Sequence, residues 1–267
     1  MKKLTFVIVL LISLSGIQSL SFAQTVADYR KEVYQAKGDT LAYRVLLPEN
    51  FDATKKYPLL LVLHGSGERG NNNEAQLTHG AKTFLDPAFR QKHQVIVVFP
   101  QCPQDSYWSN VEIKPATATN PARTFSFQKG GKPTKAMHAL QGLLSDLLHQ
   151  PYVNKHQVYV GGLSMGGMGT FELLRRKPKV FAAAFAICGG GSAETAKKVA
   201  KRVPMWVFHG AKDDVVPIVN SETMVQAIKN AGGDPKYTVY PNANHNSWDN
   251  AFAEPELFSW LFSHTKK

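Results

Sequence analysis

Two cysteines in 267 residues are too few for a disulfide framework, and Cys102 and Cys188 both follow apolar runs, where buried free thiols are at least as well placed as a bonded pair. No H-E-x-x-H and no paired cysteine spacing occurs, so the sequence suggests no metal site. Acidic residues are scarce: 20 stand against 31 basic ones, a formal net charge of +11. That excess raises nucleic acid as a partner. The basic residues are dispersed, however, as at Arg175-Arg176-Lys177 and Lys197-Lys198, and no helix-turn-helix, zinc-finger or aromatic RNA-binding signature accompanies them. Repeats and low-complexity tracts are absent, and a hydrophobic share of 43% excludes a disordered chain. Past Ala23 no apolar run is long enough to span a bilayer.

The first 23 residues have a different character. Lys2 and Lys3 precede an unbroken apolar run from Phe6 to Ile12, and Ser21-Phe22-Ala23 is a small-x-small cleavage site. This is the form of a secretory signal peptide. The expected product is an exported chain, periplasmic or extracellular, running from Gln24 as a single catalytic domain.

Residues 29–36 and 39–47 read as two strands joined through Lys37-Gly38, an antiparallel hairpin. Continuous apolar runs follow at 57–65, 95–100, 157–164, 181–188, 205–209 and 237–241. Runs of that length and character suit strands buried on both faces of a parallel sheet. Helical patterns separate most of them, at 134–150, 165–177, 192–201, 217–231 and 248–262. The alternation predicts an α/β fold: a mostly parallel central sheet, an N-terminal antiparallel hairpin, and helices on both faces. Residues 103–133 break the rhythm as a long loop leaving the carboxyl end of a strand, where an open α/β sheet builds its ligand crevice.

Gly162-Leu163-Ser164-Met165-Gly166 is a G-x-S-x-G sequence closing one strand and opening a helix, the setting of a nucleophile elbow. Its glycines stand two residues either side of a serine on a strained turn, where larger side chains would collide. A serine hydroxyl needs a base, and the base an orienting acid, in the chain order Ser, Asp or Glu, His. The run 205–209 leads into His209-Gly210-Ala211-Lys212-Asp213-Asp214, which offers two adjacent acids. The run 237–241 leads to His245. His64 and His209, each ending a strand before a glycine, read as structural hydrogen-bonding residues beneath the site.

Gly65-Ser66-Gly67-Glu68-Arg69-Gly70 matches the G-x-G-x-x-G of dinucleotide sites, but no helix opens on it and the next strand ends without the acid that holds a ribose. In a hydrolase such a loop supplies an oxyanion-hole donor. The expected donors are the backbone N–H groups of Met165 and Ser66. Trp108, in the long loop, is placed either as an aromatic platform for substrate or in packing; Trp248, three residues after His245, suits packing against the sheet better than substrate contact.

Together LHGSGERGNN at 63–72, FPQCP at 99–103, GLSMGG at 162–167, HGAKDDVVP at 209–217 and HNSW at 245–248 resemble the α/β-hydrolase superfamily. The nearer likeness is to secreted bacterial esterases and peptidases of the phospholipase/carboxylesterase and dienelactone-hydrolase group. The resemblance implies that the acid is the first Asp of the H-G-x-x-D-x-x-V-P string, which lands on Asp213. It implies a monomeric serine hydrolase without cofactor or metal, acting on a small-molecule or glycan-linked ester. A serine peptidase of the prolyl-oligopeptidase type and an inactive binding protein on the same fold are the alternatives. A working triad would lose activity in acid near the ordinary imidazole value, roughly 6–7.

Overall fold

Strands that are apolar on both faces need cover on both sides, and the chain supplies it from two sets of helices. A computed structural model describes residues 25–36, 38–119 and 121–266; the leader inferred for residues 1–23 lies outside them. The chain opens with β1 (Arg30–Ala36), β2 (Asp39–Leu46) and β3 (Tyr57–Leu63), then α1 (Pro87–Lys92) and β4 (Ile96–Pro100). A small hairpin of β5 (Val111–Lys114) and β6 (Thr124–Phe127) precedes α2 (Lys135–His149), β7 (Val153–Leu163), α3 (Met165–Arg176) and β8 (Ala183–Ile187). The chain ends with β9 (Met205–Gly210), α4 (Val219–Asn230), β10 (Lys236–Tyr240), α5 (Trp248–Phe252) and α6 (Leu257–Ser263).

Eight strands form one sheet in the order β1-β2-β4-β3-β7-β8-β9-β10. The β1–β2 and β2–β4 pairs are antiparallel, and every later pair is parallel. Alternate side chains of one strand go to opposite cores. Leu59, Leu61 and Leu63 join α2, α3 and α4 on one face; Leu60 and Val62 join Phe84, α5 and α6 on the other. This is the mostly parallel α/β sheet with an N-terminal hairpin that the alternation predicts, and it is the architecture that the α/β-hydrolase resemblance implies. Among the described residues no helix is long and apolar enough to cross a membrane.

Three elements differ from expectation. The helix expected at 192–201 is a short 3-10 segment, Ala193–Lys198. The helix expected at 248–262 is two helices, because Pro255 disfavours helical geometry at Glu254 and cannot donate a backbone hydrogen bond. The long loop contains the β5–β6 hairpin, whose register pairs Val111 with Phe127 and Ile113 with Phe125. Its base is fastened to α3. Arg175 Nη2 donates to the Gly130 carbonyl at 3.3 Å, and Arg176 Nη2 to that of Gly131 at 3.2 Å. Buried Glu172 holds both guanidinium groups by their Nε atoms at 2.6 and 2.7 Å. Phe127 lies against Gly190, where a Cβ would come within 2.9 Å of its ring.

Candidate active site

Parallel strands deliver their carboxyl ends to one edge, so the loops after β3, β7, β8, β9 and β10 meet there. Ser164 sits between β7 and α3 with φ 54° and ψ −117°, a backbone conformation rare for a residue with a side chain. Two things hold it there. Its N–H donates to the Ile187 carbonyl at 2.9 Å, and the glycines let the turn close. A Cβ on Gly162 would lie 2.5 Å from the Gly166 carbonyl oxygen, and one on Gly166 would lie 1.9 Å from that of Leu63.

Ser164 Oγ lies 2.9 Å from His245 Nε2, and His245 Nδ1 lies 2.8 Å from Asp213 Oδ2. The carboxylate is gripped from three further directions. Oδ1 accepts the N–H groups of Val215 and Val216, each at 2.9 Å, and Oδ2 lies 3.2 Å from His209 Nε2. Burial of Asp213 works against its charge, but the hydrogen bonds from His209, His245 and Val216 outweigh it and hold the carboxyl well below the usual carboxylate range. Asp214, by contrast, is exposed, and its backbone N–H bonds Asn244 Oδ1 at 3.2 Å. His209 is fully buried, with Nδ1 2.7 Å from Ser221 Oγ.

The glycine loop stands beside the serine: a Cβ on Gly65 would come 3.7 Å from Ser164 Cβ. Ser66 and Met165 each open a helical turn, at Ser66–Glu68 and at α3, where first-turn N–H groups have no partner within the turn. Arg69 was not legible as a contributor. Its Nε donates to the Ser66 carbonyl at 3.0 Å, and its Nη1 to the carbonyls of Gln104 and Ser106 at 3.2 and 3.3 Å. One guanidinium thus ties the glycine loop to the segment after β4. Gln101 does the same from below, accepting from Asn73 N–H at 2.7 Å and donating to Glu68 O at 3.2 Å. Both residues lie inside the LHGSGERGNN and FPQCP strings, the only sequence signal they carry.

His64 makes a third tie. Its Nε2 accepts the Cys102 N–H at 2.9 Å, so the neutral ring must carry its proton on Nδ1, which donates to Gly65 O at 2.6 Å. Burial pushes this imidazole down to about 4. The unfolded chain takes up a proton below the ordinary value of 6.5, while the folded chain does so only near 4. Stability is therefore expected to fall by about 3 kcal/mol as pH drops through that window. Urea midpoints across pH 6.5 to 4 would measure the loss, and His64→Gln is expected to flatten it.

The structure corrects one tryptophan placement. Trp108 has no exposed surface; it packs edge-on against His64, ring centroids 5.5 Å apart, with its Cβ close over Gly169 of α3. The tuck of residues 106–108 under the glycine loop makes it core rather than a platform. Trp248 is half-buried, its ring 5.2 Å from His245 and 5.0 Å from His79. Cys102 and Cys188 are buried free thiols, and burial pushes the first up to about 12 and the second upward as well.

Comparison with known proteins agrees with this architecture. The Phospholipase/Carboxylesterase family model matches residues 51–258. A bifunctional acetylxylan esterase/xylanase of Neocallimastix patriciarum is 26% identical over 223 residues, covering 82% of this chain and 28% of that protein. "Probable dipeptidyl-peptidase 5" of Aspergillus terreus is 22% identical over 257 residues, covering 82% of this chain and 32% of that protein. The chain thus spans a third or less of these two curated relatives. The crystal structure of a thermostable esterase superposes with a TM-score of 0.78 at 31% identity, over 90% of this chain and 64% of that one. With the sheet, the glycine loop and the strained serine turn in place, the chain belongs to the phospholipase/carboxylesterase family of the α/β hydrolases.

Proposed function

We propose that the chain is an exported serine esterase working through an acyl-enzyme on Ser164. The observation that carries this reading is the unbroken relay from Ser164 Oγ to His245 Nε2 at 2.9 Å and from His245 Nδ1 to Asp213 at 2.8 Å. Ser164 Oγ attacks the carbonyl carbon of the ester while His245 Nε2 takes its proton. Asp213 keeps the other ring proton on Nδ1 and stabilises the imidazolium. The N–H groups of Met165 and Ser66 receive the negative oxygen of the tetrahedral intermediate. Its collapse expels the alcohol, protonated by His245, and water then repeats the sequence to release the acid.

The substrate is a small-molecule or glycan-linked ester, a reading supported by the family and by the named esterase activities of two similar proteins. A peptide bond is the second reading, favoured by the likeness to a dipeptidyl-peptidase. An organophosphonate probe is expected to add one mass increment to the peptide containing Ser164 and none in Ser164→Ala. Labelling elsewhere would overturn the proposal. A panel of acyl, feruloyl and acetyl-glycan esters beside peptide amides separates the two readings, and hydrolysis of amides alone would reject the ester. Export is read from the leader, and an N-terminus at Gln24 in the exported protein is its check.

A further inference from the structure

Behind the proposed triad lies a group that the proposed reaction does not use. Cys188 Sγ, a carboxylate oxygen of Asp213 and a ring nitrogen of His245 all lie within 4.8 Å of one another. Cys188 is fully buried and, like Ser164, has a positive φ, 40°, in a residue with a side chain. Ser247, fully buried, sets its hydroxyl beside the Cys188 sulfur. Three donors of three kinds (sulfur, imidazole nitrogen and carboxylate oxygen) therefore share one small volume.

We propose that this cluster is an inhibitory site for a thiophilic divalent cation, Zn²⁺ or Cd²⁺, that switches the hydrolase off. The inference rests on the reading of His245 as the base. The donor set matches the preference: thiolate and imidazole select Zn²⁺-like ions, whereas Ca²⁺ and Mg²⁺ require oxygen cages. Tetrahedral bonds of about 2.0–2.2 Å to nitrogen and oxygen set those donors roughly 3.3–3.6 Å apart, so His245 Nδ1 and Asp213 Oδ2, 2.8 Å apart in the metal-free site, open by about half an ångström to admit the ion. Charge balances too: a thiolate and a carboxylate neutralise the cation, so the buried cluster carries no net charge.

Inhibition follows from the proton count. In the metal-free site the imidazole carries its proton on Nδ1, toward Asp213, and Nε2 keeps the lone pair that receives the Ser164 proton. A cation between Asp213 and His245 takes the Nδ1 lone pair. The single ring proton must then sit on Nε2, facing Ser164 Oγ, where it blocks acceptance of another. Cys188 releases its thiol proton to solvent, so one proton is liberated for each ion bound. No part of the triad needs to move far; the base holds its proton at the wrong nitrogen.

The test is a Cd²⁺ titration of the full chain, following the ultraviolet thiolate-to-cadmium absorption and hydrolysis of a short acyl ester together. A saturable band and a loss of hydrolysis of tenfold or more are expected in parallel, both reversed by a chelator, with Zn²⁺ displacing the band. Cys188→Ala is expected to retain hydrolysis, lose the band, and need on the order of 10–100-fold more Cd²⁺ for the same inhibition. Inhibition unchanged in that variant, or a band that disappears in Cys102→Ala instead, overturns the proposal. Should Cys188→Ala fail to fold, X-ray absorption at the cadmium edge of the unaltered chain decides. One sulfur among nitrogen and oxygen neighbours supports the site; a shell without sulfur rejects it. The band persists in Ser164→Ala whether or not that variant hydrolyses esters, so failure of the triad reading is distinguishable from failure of the metal site.

Discussion

Asp213→Asn is expected to lower kcat/KM for esters by on the order of 10⁴-fold, the loss known for the same change in a serine-protease triad, from which the figure is taken. The reason is visible in how this carboxylate is held. Oδ1 accepts two backbone N–H groups, from Val215 and Val216, so the amide oxygen of an asparagine must take that place. The amide NH₂ is then left where Oδ2 stood, pointing at His245 Nδ1. It can only donate there. The imidazole responds by moving its proton to Nε2, and the serine loses its base although the geometry is intact. Asp214→Asn is the matched control: its side chain is exposed, and hydrolysis is expected to stay essentially unchanged. Steady-state kinetics of the two variants, with circular dichroism to verify folding, decides between adjacent acids. Equal losses in both would remove Asp213 from the role.

The second large effect is structural. Gly166→Ala would place a methyl carbon 1.9 Å from the Leu63 carbonyl oxygen, at the end of a central strand that cannot retreat. Overpacking against backbone of this kind costs about 3 kcal/mol, the upper end of the usual range. Thermal unfolding is expected to drop by roughly 6–12 °C for a chain of this size, and hydrolysis to fall with it as the elbow opens. Gly67→Ala provides the contrast, since nothing lies within 4 Å of a Cβ at that position. An unaltered melting temperature in Gly166→Ala would show that α3 can shift away from β3, and the elbow would then be less constrained than its contacts indicate.

Legibility in the sequence followed the range of the interaction. The central strands could be read because burial on both faces writes itself as unbroken apolar runs such as Leu59–Leu63 and Ile96–Phe99. The serine turn could be read because its steric demand falls on neighbours two residues away, Gly162 and Gly166. The β5–β6 hairpin could not, since each strand is only four residues long and its alternation is lost among charged and polar neighbours. Trp108 was ambiguous because nothing near it in sequence reveals that α3 carries a glycine, Gly169, against its Cβ. Arg69 and Cys188 were opaque for the same reason on a larger scale. Arg69 works through carbonyls 35 and 37 residues away, and Cys188 meets Asp213 and His245 only because the sheet order sets β8, β9 and β10 side by side.

The two arginines of α3 that grip Gly130 and Gly131 have an evolutionary consequence. They bolt the returning limb of the β5–β6 insert to the helix that carries the serine turn, and Phe127 on Gly190 pins it a second time. Beyond those fixings the described residues between β5 and β6, 115–119 and 121–123, are exposed to solvent. Insertions, deletions or grafted loops at that exposed tip are therefore expected to leave the fixings on α3 and Gly190 in place. The hairpin tip is thus an adjustable piece on a fixed mount, so descendants can vary it while α3 and the serine turn keep their support.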